Sequence, residues 1–466
     1  MKRAPIGAVV LLAAGLGAAW AQSDTGQPAE TPQQSVTFPG SVFSPSNPPV
    51  AALDENAMGA GSESRSVLRL AAHFGETLES TLDGTQSSGD IHSVTRGLGS
   101  VELQKIWKRY ETDLDYVGGG AVYTNRGRTD AQIHVFNVGE KIHWRRSQLV
   151  VHDSFSYLPE GSFGHGSFGG AAGEGLGGGG ALHFGSLGIA PRITDESAAE
   201  FTQTLTPRSA FTVGASYGMV HFTGGTQNDN GAPSGDTSPL LDSHQVAAQA
   251  GYSHQLNHED QIGVQYAFED LHFPRTGASN FTVHLIHGLY THRISDRLNI
   301  TVAAGPQFTL IDNPLFKGLN LNRTTISGRA SLHYIFRLTE VTLSYHHYIT
   351  TGSGFVAGAD TDGVRLTAAR PLSRLWEVVG DLGYSHNTRV QPVAFLTPRT
   401  FQSGYLGMAL RRHITQDISG FFRYQFTTLT FDDSTCTLTG ASCGGISHRN
   451  TATLGLDWNF RPIRLD

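Results

Sequence analysis

Phe211-Thr212-Val213-Gly214-Ala215-Ser216-Tyr217-Gly218-Met219 sets an apolar residue against a small or polar one at every step. A period of two is what a β-strand shows when its two faces meet different surroundings. Three more stretches repeat the pattern. Ile262, Val264, Tyr266 and Phe268 alternate with Gln261, Gly263, Gln265 and Glu269. Ile418, Phe422, Tyr424 and Phe426 alternate with Ser419, Arg423 and Gln425, and Leu454, Leu456, Trp458 and Phe460 with Thr453, Gly455, Asp457 and Asn459. Such runs extend over about 10 to 15 residues, longer than the ~5–6 of an ordinary strand. A soluble sandwich would use shorter strands, and a propeller would pack four of them into each repeat.

The connections alternate as well. Tight polar turns are expected near Lys108-Arg109, Arg145-Arg146, Pro207-Arg208, His258-Glu259, Ser295-Asp296, Thr339-Glu340, Leu372-Ser373 and Gln416-Asp417. Longer segments fall between them at 159–195, 223–241, 312–323, 352–362, 388–399 and 432–446. Short turns at one end and long loops at the other predict a transmembrane antiparallel up-and-down β-barrel. Eight turns plus the terminal strands give about 18 strands, or 16 if the weakly patterned segments near 96–106 and 196–206 are not strands. Between Gln132 and Trp144 the phase slips: Ile133 and Val135 share one parity, Val138, Ile142 and Trp144 the other. A β-bulge is the expected cause.

The chain begins with a basic pair, Lys2-Arg3, an apolar run from Ala8 to Ala19, and the small-x-small site Ala19-Trp20-Ala21. Residues 1–21 therefore read as a cleavable signal peptide. Residues 22–65, rich in Pro, Ser, Gln and Gly, read as a flexible periplasmic tail, and 66–466 as the barrel. Export to the bacterial outer membrane follows, with lipid, lipopolysaccharide and the barrel-assembly machinery as partners. In an oxidising compartment Cys436 and Cys443 are expected to form one disulfide. With a net charge of −7 over 466 residues there is no basic field for nucleic acid.

Parity separates a lipid face from an inner wall. Arg329, Arg365, Asp381 and Arg423 fall on the inner parity near mid-height, with Glu269, Glu377, Arg411 and Asp457 elsewhere on the wall; all eight are pore-lining candidates. Charged rings in a pore set ion selectivity. Three Arg against one Asp at mid-height favours anions, while ion pairs that only stiffen the wall are the competing reading. Trp107, Trp144, Trp376 and Trp458 each lie close to a tight turn or the C-terminus, as expected of an interfacial aromatic girdle.

Motifs for chemistry are weak. Gly214-Ala215-Ser216-Tyr217-Gly218 matches the nucleophile-elbow spacing but sits inside an alternating strand, where no strand-to-helix turn exposes the serine. Gly161 to Gly180 has no lysine and no following helix to make a phosphate cradle. The 21 histidines, His346-His347 included, show no helical pairing that would bind a metal. No catalytic residue, cofactor or metal is expected.

Ser100-Val101-Glu102-Leu103-Gln104 through Trp107, Leu114-Asp115-Tyr116-Val117-Gly118-Gly119-Gly120, and Asp153-Ser154-Phe155-Ser156-Tyr157-Leu158-Pro159-Glu160 before a Gly-rich loop resemble the β-barrel porin family that includes EpsL-like proteins of exopolysaccharide operons. The resemblance is one of texture. It implies an outer-membrane channel for small polar solutes or polysaccharide. A non-transporting adhesive scaffold is the first alternative, a barrel-embedded hydrolase the second. Family barrels often end on an aromatic residue, whereas Phe460 is followed by Arg461-Pro462-Ile463-Arg464-Leu465-Asp466. Assembly is then expected to read an internal signal.

Overall fold

A computed structural model of the chain describes residues 66–80, 91–124, 131–158, 192–223, 241–274, 279–312, 322–350, 357–390, 400–431 and 446–465. The proposed signal peptide, the 22–65 tail and the Cys436–Cys443 pairing lie outside the described residues.

Eighteen long strands form one antiparallel sheet: β1 (Val67–Ser80), β2 (Ile91–Ile106), β3 (Tyr110–Tyr123), β4 (Ala131–His143), β5 (Ser147–Leu158), β6 (Arg192–Thr206), β7 (Ser209–Phe222), β8 (Ser243–Gln255), β9 (Asp260–His272), β10 (Asn280–Ser295), β11 (Leu298–Asp312), β12 (Arg323–Phe336), β13 (Thr339–Thr350), β14 (Ala359–Pro371), β15 (Trp376–Arg389), β16 (Thr400–His413), β17 (Ile418–Phe431) and β18 (Ile446–Asn459). Each strand pairs with its sequence neighbours, and β1 pairs with β18 from Ala71↔Asn459 to Glu79↔Thr451, so the sheet closes on itself. Closure removes the open edge that would otherwise recruit another chain. The weak segments near 96–106 and 196–206 are strands, and the count is 18. The eight short turns stand where expected, except that the sixth is at Arg337-Leu338, just ahead of Thr339-Glu340. Arg337 is held there at φ 51°, the left-handed conformation of a two-residue hairpin turn.

Period two governs both faces. On β7, Phe211, Val213 and Tyr217 are exposed while Gly214 is buried; on β9, Ile262, Val264 and Tyr266 are exposed while Gln265 and Glu269 are buried. The outside is the apolar face and the inside the polar one, the reverse of a soluble protein. No helix of the described residues is long and apolar enough to cross a membrane.

No bulge interrupts β4. Its ladders to β3 and β5 run without a register shift, and shifts occur instead beside two turns, at Arg293/Ser295 and Thr204/Thr206. The phase slip has another origin: Ile133 and Val135 face inward. There they join an apolar cluster with Val94, Leu98, Val117, Ala121 and Phe421. One stretch of inner wall is simply hydrophobic, so both parities of β4 carry apolar residues.

The closing seam has its own chemistry. Inside it, His73 Nδ1 lies 3.0 Å from Asp457 Oδ1 and its Nε2 3.1 Å from Ser100 Oγ. Thr77 and Thr453 share a 2.9 Å hydrogen bond, Arg96 donates to Thr77 at 2.6 Å, and Arg449 pairs with Glu79. Residues beyond Phe460 prolong the seam: β19 (Ile463–Arg464) pairs with Leu68 and Val67, and Lys105 Nζ donates to the Leu465 carbonyl at 2.7 Å. Ile463 and Arg464 thus add a short ladder against the start of β1.

Candidate functional site

The inner wall of the barrel is the candidate site, and strand register places all eight charged candidates on it. Arg365 and Asp381 are brought together across β14 and β15. Arg365 Nε and Nη2 reach the two Asp381 oxygens at 3.2 and 2.8 Å, a forked pairing suited to a planar guanidinium. Tyr405 on β16 donates to the same carboxylate at 2.9 Å. The Asp381 side chain has no exposed surface, so this charge is fully desolvated and is held by three bonds. Asp457 on β18 bridges His73 and Arg411, the latter at 3.6 Å. Glu377 stands directly opposite Arg411 in the β15–β16 ladder. Glu269 is buried and accepts from Gln245 at 2.9 Å. Arg329 and Arg423 lie at mid-strand on β12 and β17.

Sequence reading missed the opposite wall. Glu111, Asp113 and Asp115 follow one another at every second residue of β3, facing Lys141, Gly139 and Asn137 of β4. Glu102 on β2 and Glu196 and Glu200 on β6 flank them. Partial neutralisation comes from Arg69 to Glu102 at 2.5 Å and Lys141 to Glu111 at 3.6 Å. The signal was legible in Tyr110-Glu111-Thr112-Asp113-Leu114-Asp115, whose acidic residues all share the inner parity. Around a ring of 18, β2–β6 lie opposite β11–β15, so the acidic arc faces Arg329 and Arg365, while Arg411 and Arg423 lie nearer the closing seam, where Phe421 packs with Val94 and Val117. The mid-height excess of Arg over Asp is accordingly a local feature. One of its three arginines is bound to its one aspartate, and carboxylates line the far wall.

Much of this wall is closely packed. Gln307, Thr309, Ser385, Ser403 and Thr427 are each no more than 2% exposed. Toward the long-loop end, Leu271, Phe273, Phe281 and Val283 of the β9–β10 region form an apolar cluster with Ile349, Ala357 and Val390 from the β13–β15 ends. Ser216 of the elbow-like motif stands opposite Ala198 and Ala247 in the ladders. His346 and His347 point to opposite faces, and only His347 meets a carboxylate, Asp362 at 2.9 Å. Among the described residues no group of His, Cys, Asp or Glu is arranged to hold a metal ion.

Glycines let large inner side chains lie flat on the wall. A Cβ on Gly383 would sit inside the Tyr405 ring, within 2.9 Å of its hydroxyl oxygen. Gly383→Ala is expected to push Tyr405 off Asp381 and cost about 1–3 kcal/mol of unfolding free energy in urea, the usual range for overpacking. Gly380→Ala on the same strand, where nothing lies within 4 Å, should leave the midpoint unchanged or raise it.

The outward face carries its own order. Trp107, Trp144 and Trp458 are about half exposed and Trp376 opens β15, all beside short turns. Arg412 lies 5.2 Å over the Trp376 ring and Lys105 6.0 Å from that of Trp107. The outer parity is not free of charge: Glu76 on β1, Glu140 on β4, Asp153 on β5, Asp195 on β6 and Asp270 on β9 face outward, with Thr95 donating to Glu76 at 2.5 Å and Ser197 to Asp153 at 2.5 Å.

The fold and its inside-out polarity define a large closed β-barrel of the outer-membrane type. No family model and no curated protein matches the chain. Solved structures resemble it at 8–11% identity. They include the outer membrane protein OpdK of Pseudomonas aeruginosa (TM-score 0.42, 9% identity, 86% of this chain and 100% of that one). OpdQ of the same organism gives a TM-score of 0.40 at 10% identity over 85% and 99% of the two chains. OccAB3 of Acinetobacter baumannii gives 0.40 at 11% over 86% and 100%.

Proposed function

We propose that the protein is an outer-membrane channel through which small polar solutes pass passively. The observation that carries this reading is the reversed polarity of a closed 18-strand barrel. Its outer face suits hydrocarbon, and its inner wall holds acidic and basic arcs on opposite sides. Barrels of this size enclose an aqueous path unless it is filled. Opposed charges across such a path create a transverse field, which orients dipolar solutes and sorts ions. The close packing of the inner wall favours small solutes over a polymer chain. A polysaccharide cargo is supported only by the textural resemblance to exopolysaccharide-operon barrels. The eight inner charges are proposed to act as the wall's selectivity groups together with Glu111, Asp113 and Asp115, and the four tryptophans as the periplasmic-side girdle.

Planar-bilayer recording tests this. Stepwise conductance is expected from the purified barrel. Replacing Glu111, Asp113 and Asp115 by Gln, Asn and Asn should move the reversal potential in a salt gradient toward anion preference; Arg423→Gln should move it the other way. A barrel that inserts but never conducts would exclude the channel and leave the scaffold reading.

A further inference from the structure

The outer surface repeats one hydrogen-bonded unit that neither the fold nor a solute path requires. On β3, Tyr116 Oη lies 3.0 Å from Nδ1 of His134 on β4. On β7 and β8, Tyr217 Oη lies 3.0 Å from Nδ1 of His244, and on β9 and β10 Tyr266 Oη lies 2.8 Å from Nδ1 of His284. In each hairpin the histidine sits opposite the residue two beyond the tyrosine: Gly118↔His134, Met219↔His244, Phe268↔His284. The same diagonal recurs as Tyr345 to Asp362 and Tyr424 to Asn450. All these residues share the outer parity, and each tyrosine's partner (His134, His244, His284, Asp362 and Asn450) lies in the long-loop half of its strand.

A phenol O–H donating to Nδ1 leaves the neutral imidazole with its proton on Nε2. In that tautomer the unit carries an N–H donor at Nε2; His134 Nε2 lies 3.4 Å from Gln132 Oε1, an acceptor on the same outer parity. The height is informative too. His134 is nine residues from the short-turn end of β4 at His143. His244 and His284 are eleven from the corresponding ends at Gln255 and Ser295. At about 2.5 Å of height per tilted residue, the three lie about 23–28 Å above the tryptophan rim, where an apolar band of about 25 Å ends.

We propose that His134, His244 and His284 form a belt of N–H donors that binds phosphate groups of outer-leaflet lipid headgroups. Tyrosine sets the tautomer, each imidazole lying within about 30° of its tyrosine's ring plane. Two outward carboxylates near the belt are engaged with neighbours: Asp270 accepts from Thr282 at 2.9 Å, and Asp242, two residues from His244, lies 2.7 Å from His221 Nδ1 and accepts from the Phe222 N–H at 2.9 Å. The inference rests on the outer-membrane placement and is independent of whether the barrel conducts.

The test is native mass spectrometry of the detergent-solubilised full barrel with a bisphosphorylated glycolipid or its dephosphorylated form, in EDTA to remove divalent bridges. The wild type should prefer the phosphorylated lipid. A triple His→Phe variant, which keeps an aromatic ring at each site, should lose about fivefold of that preference for each donor removed, the equivalent of a ~1 kcal/mol hydrogen bond. His→Gln, which restores an N–H, should recover part of it. Equal preference in the wild type and the triple Phe variant, with both inserted and folded, would overturn the proposal. Failure of the wild type to enter bilayers at all would instead refute the membrane placement.

Discussion

Arg449→Ala should be among the most damaging single substitutions in the barrel, lowering its unfolding free energy by about 3–5 kcal/mol. Arg449 and Glu79 form an ion pair inside the β1–β18 seam, with side chains 9% and 2% exposed. Removing one member of a buried pair strands the other charge away from water, which costs more than the pair itself contributes. The location raises the stakes. Every other pair of neighbouring strands is also joined by the chain at one end, but β1 and β18 are joined only by their ladder and by side chains such as His73–Asp457 and Thr77–Thr453. Urea unfolding in lipid vesicles would read the loss as a shifted midpoint. The double replacement Glu79→Gln with Arg449→Met, which removes both charges, should recover most of it. A shift under about 0.5 kcal/mol for Arg449→Ala would show that the pair carries no structural weight.

The second large effect is on the opposite face. Leu406 lies near the middle of β16, exposed on the outer parity between Tyr405 and Gly407, both of which face inward. Leu406→Arg is expected to cost about 2–4 kcal/mol, the penalty for a cation at the bilayer midplane. Leu406→Phe, which keeps the face apolar, should be close to neutral. If the arginine is tolerated as well as the phenylalanine in vesicles, the outer face is not in hydrocarbon.

Strand existence and turn placement were readable because closure in a membrane forces period two on nearly every strand, and the tight turns carry polar pairs such as Lys108-Arg109 and Pro207-Arg208. Readability fails where the inner wall stops being polar. Ile133 and Val135 mimicked a bulge because they belong to an interior apolar cluster. β6 looked weak because Asp195 and Ser197 lie on its outer parity while Ala198 lies on its inner one. The connections at 81–90, 124–130 and 273–279, seven to ten residues long, were not singled out as loops. For the eight charged candidates, parity and strand register agree on the side of the sheet. Parity could not show that Arg365 meets Asp381, because that contact depends on the register of two strands rather than on spacing along one. Tyr405 was missed for the same reason: its partner lies 24 residues away across a ladder. Glu111, Asp113 and Asp115 escaped notice because β3 alternates weakly: Thr112, Gly118 and Gly120 stand on its outer parity, so its inner face is not marked by contrast.

A single-cysteine scan along β17 bears most directly on the whole account. Cys436 and Cys443 would first be replaced by Ser, then each position from Ile418 to Thr428 would carry a fluorophore in vesicles containing spin-labelled lipid. Quenching is predicted at the even positions 418, 422, 424 and 426, with protection at 419, 421, 423, 425 and 427. Uniform quenching, uniform protection, or a period near 3.6 would contradict a closed barrel with lipid outside and water within.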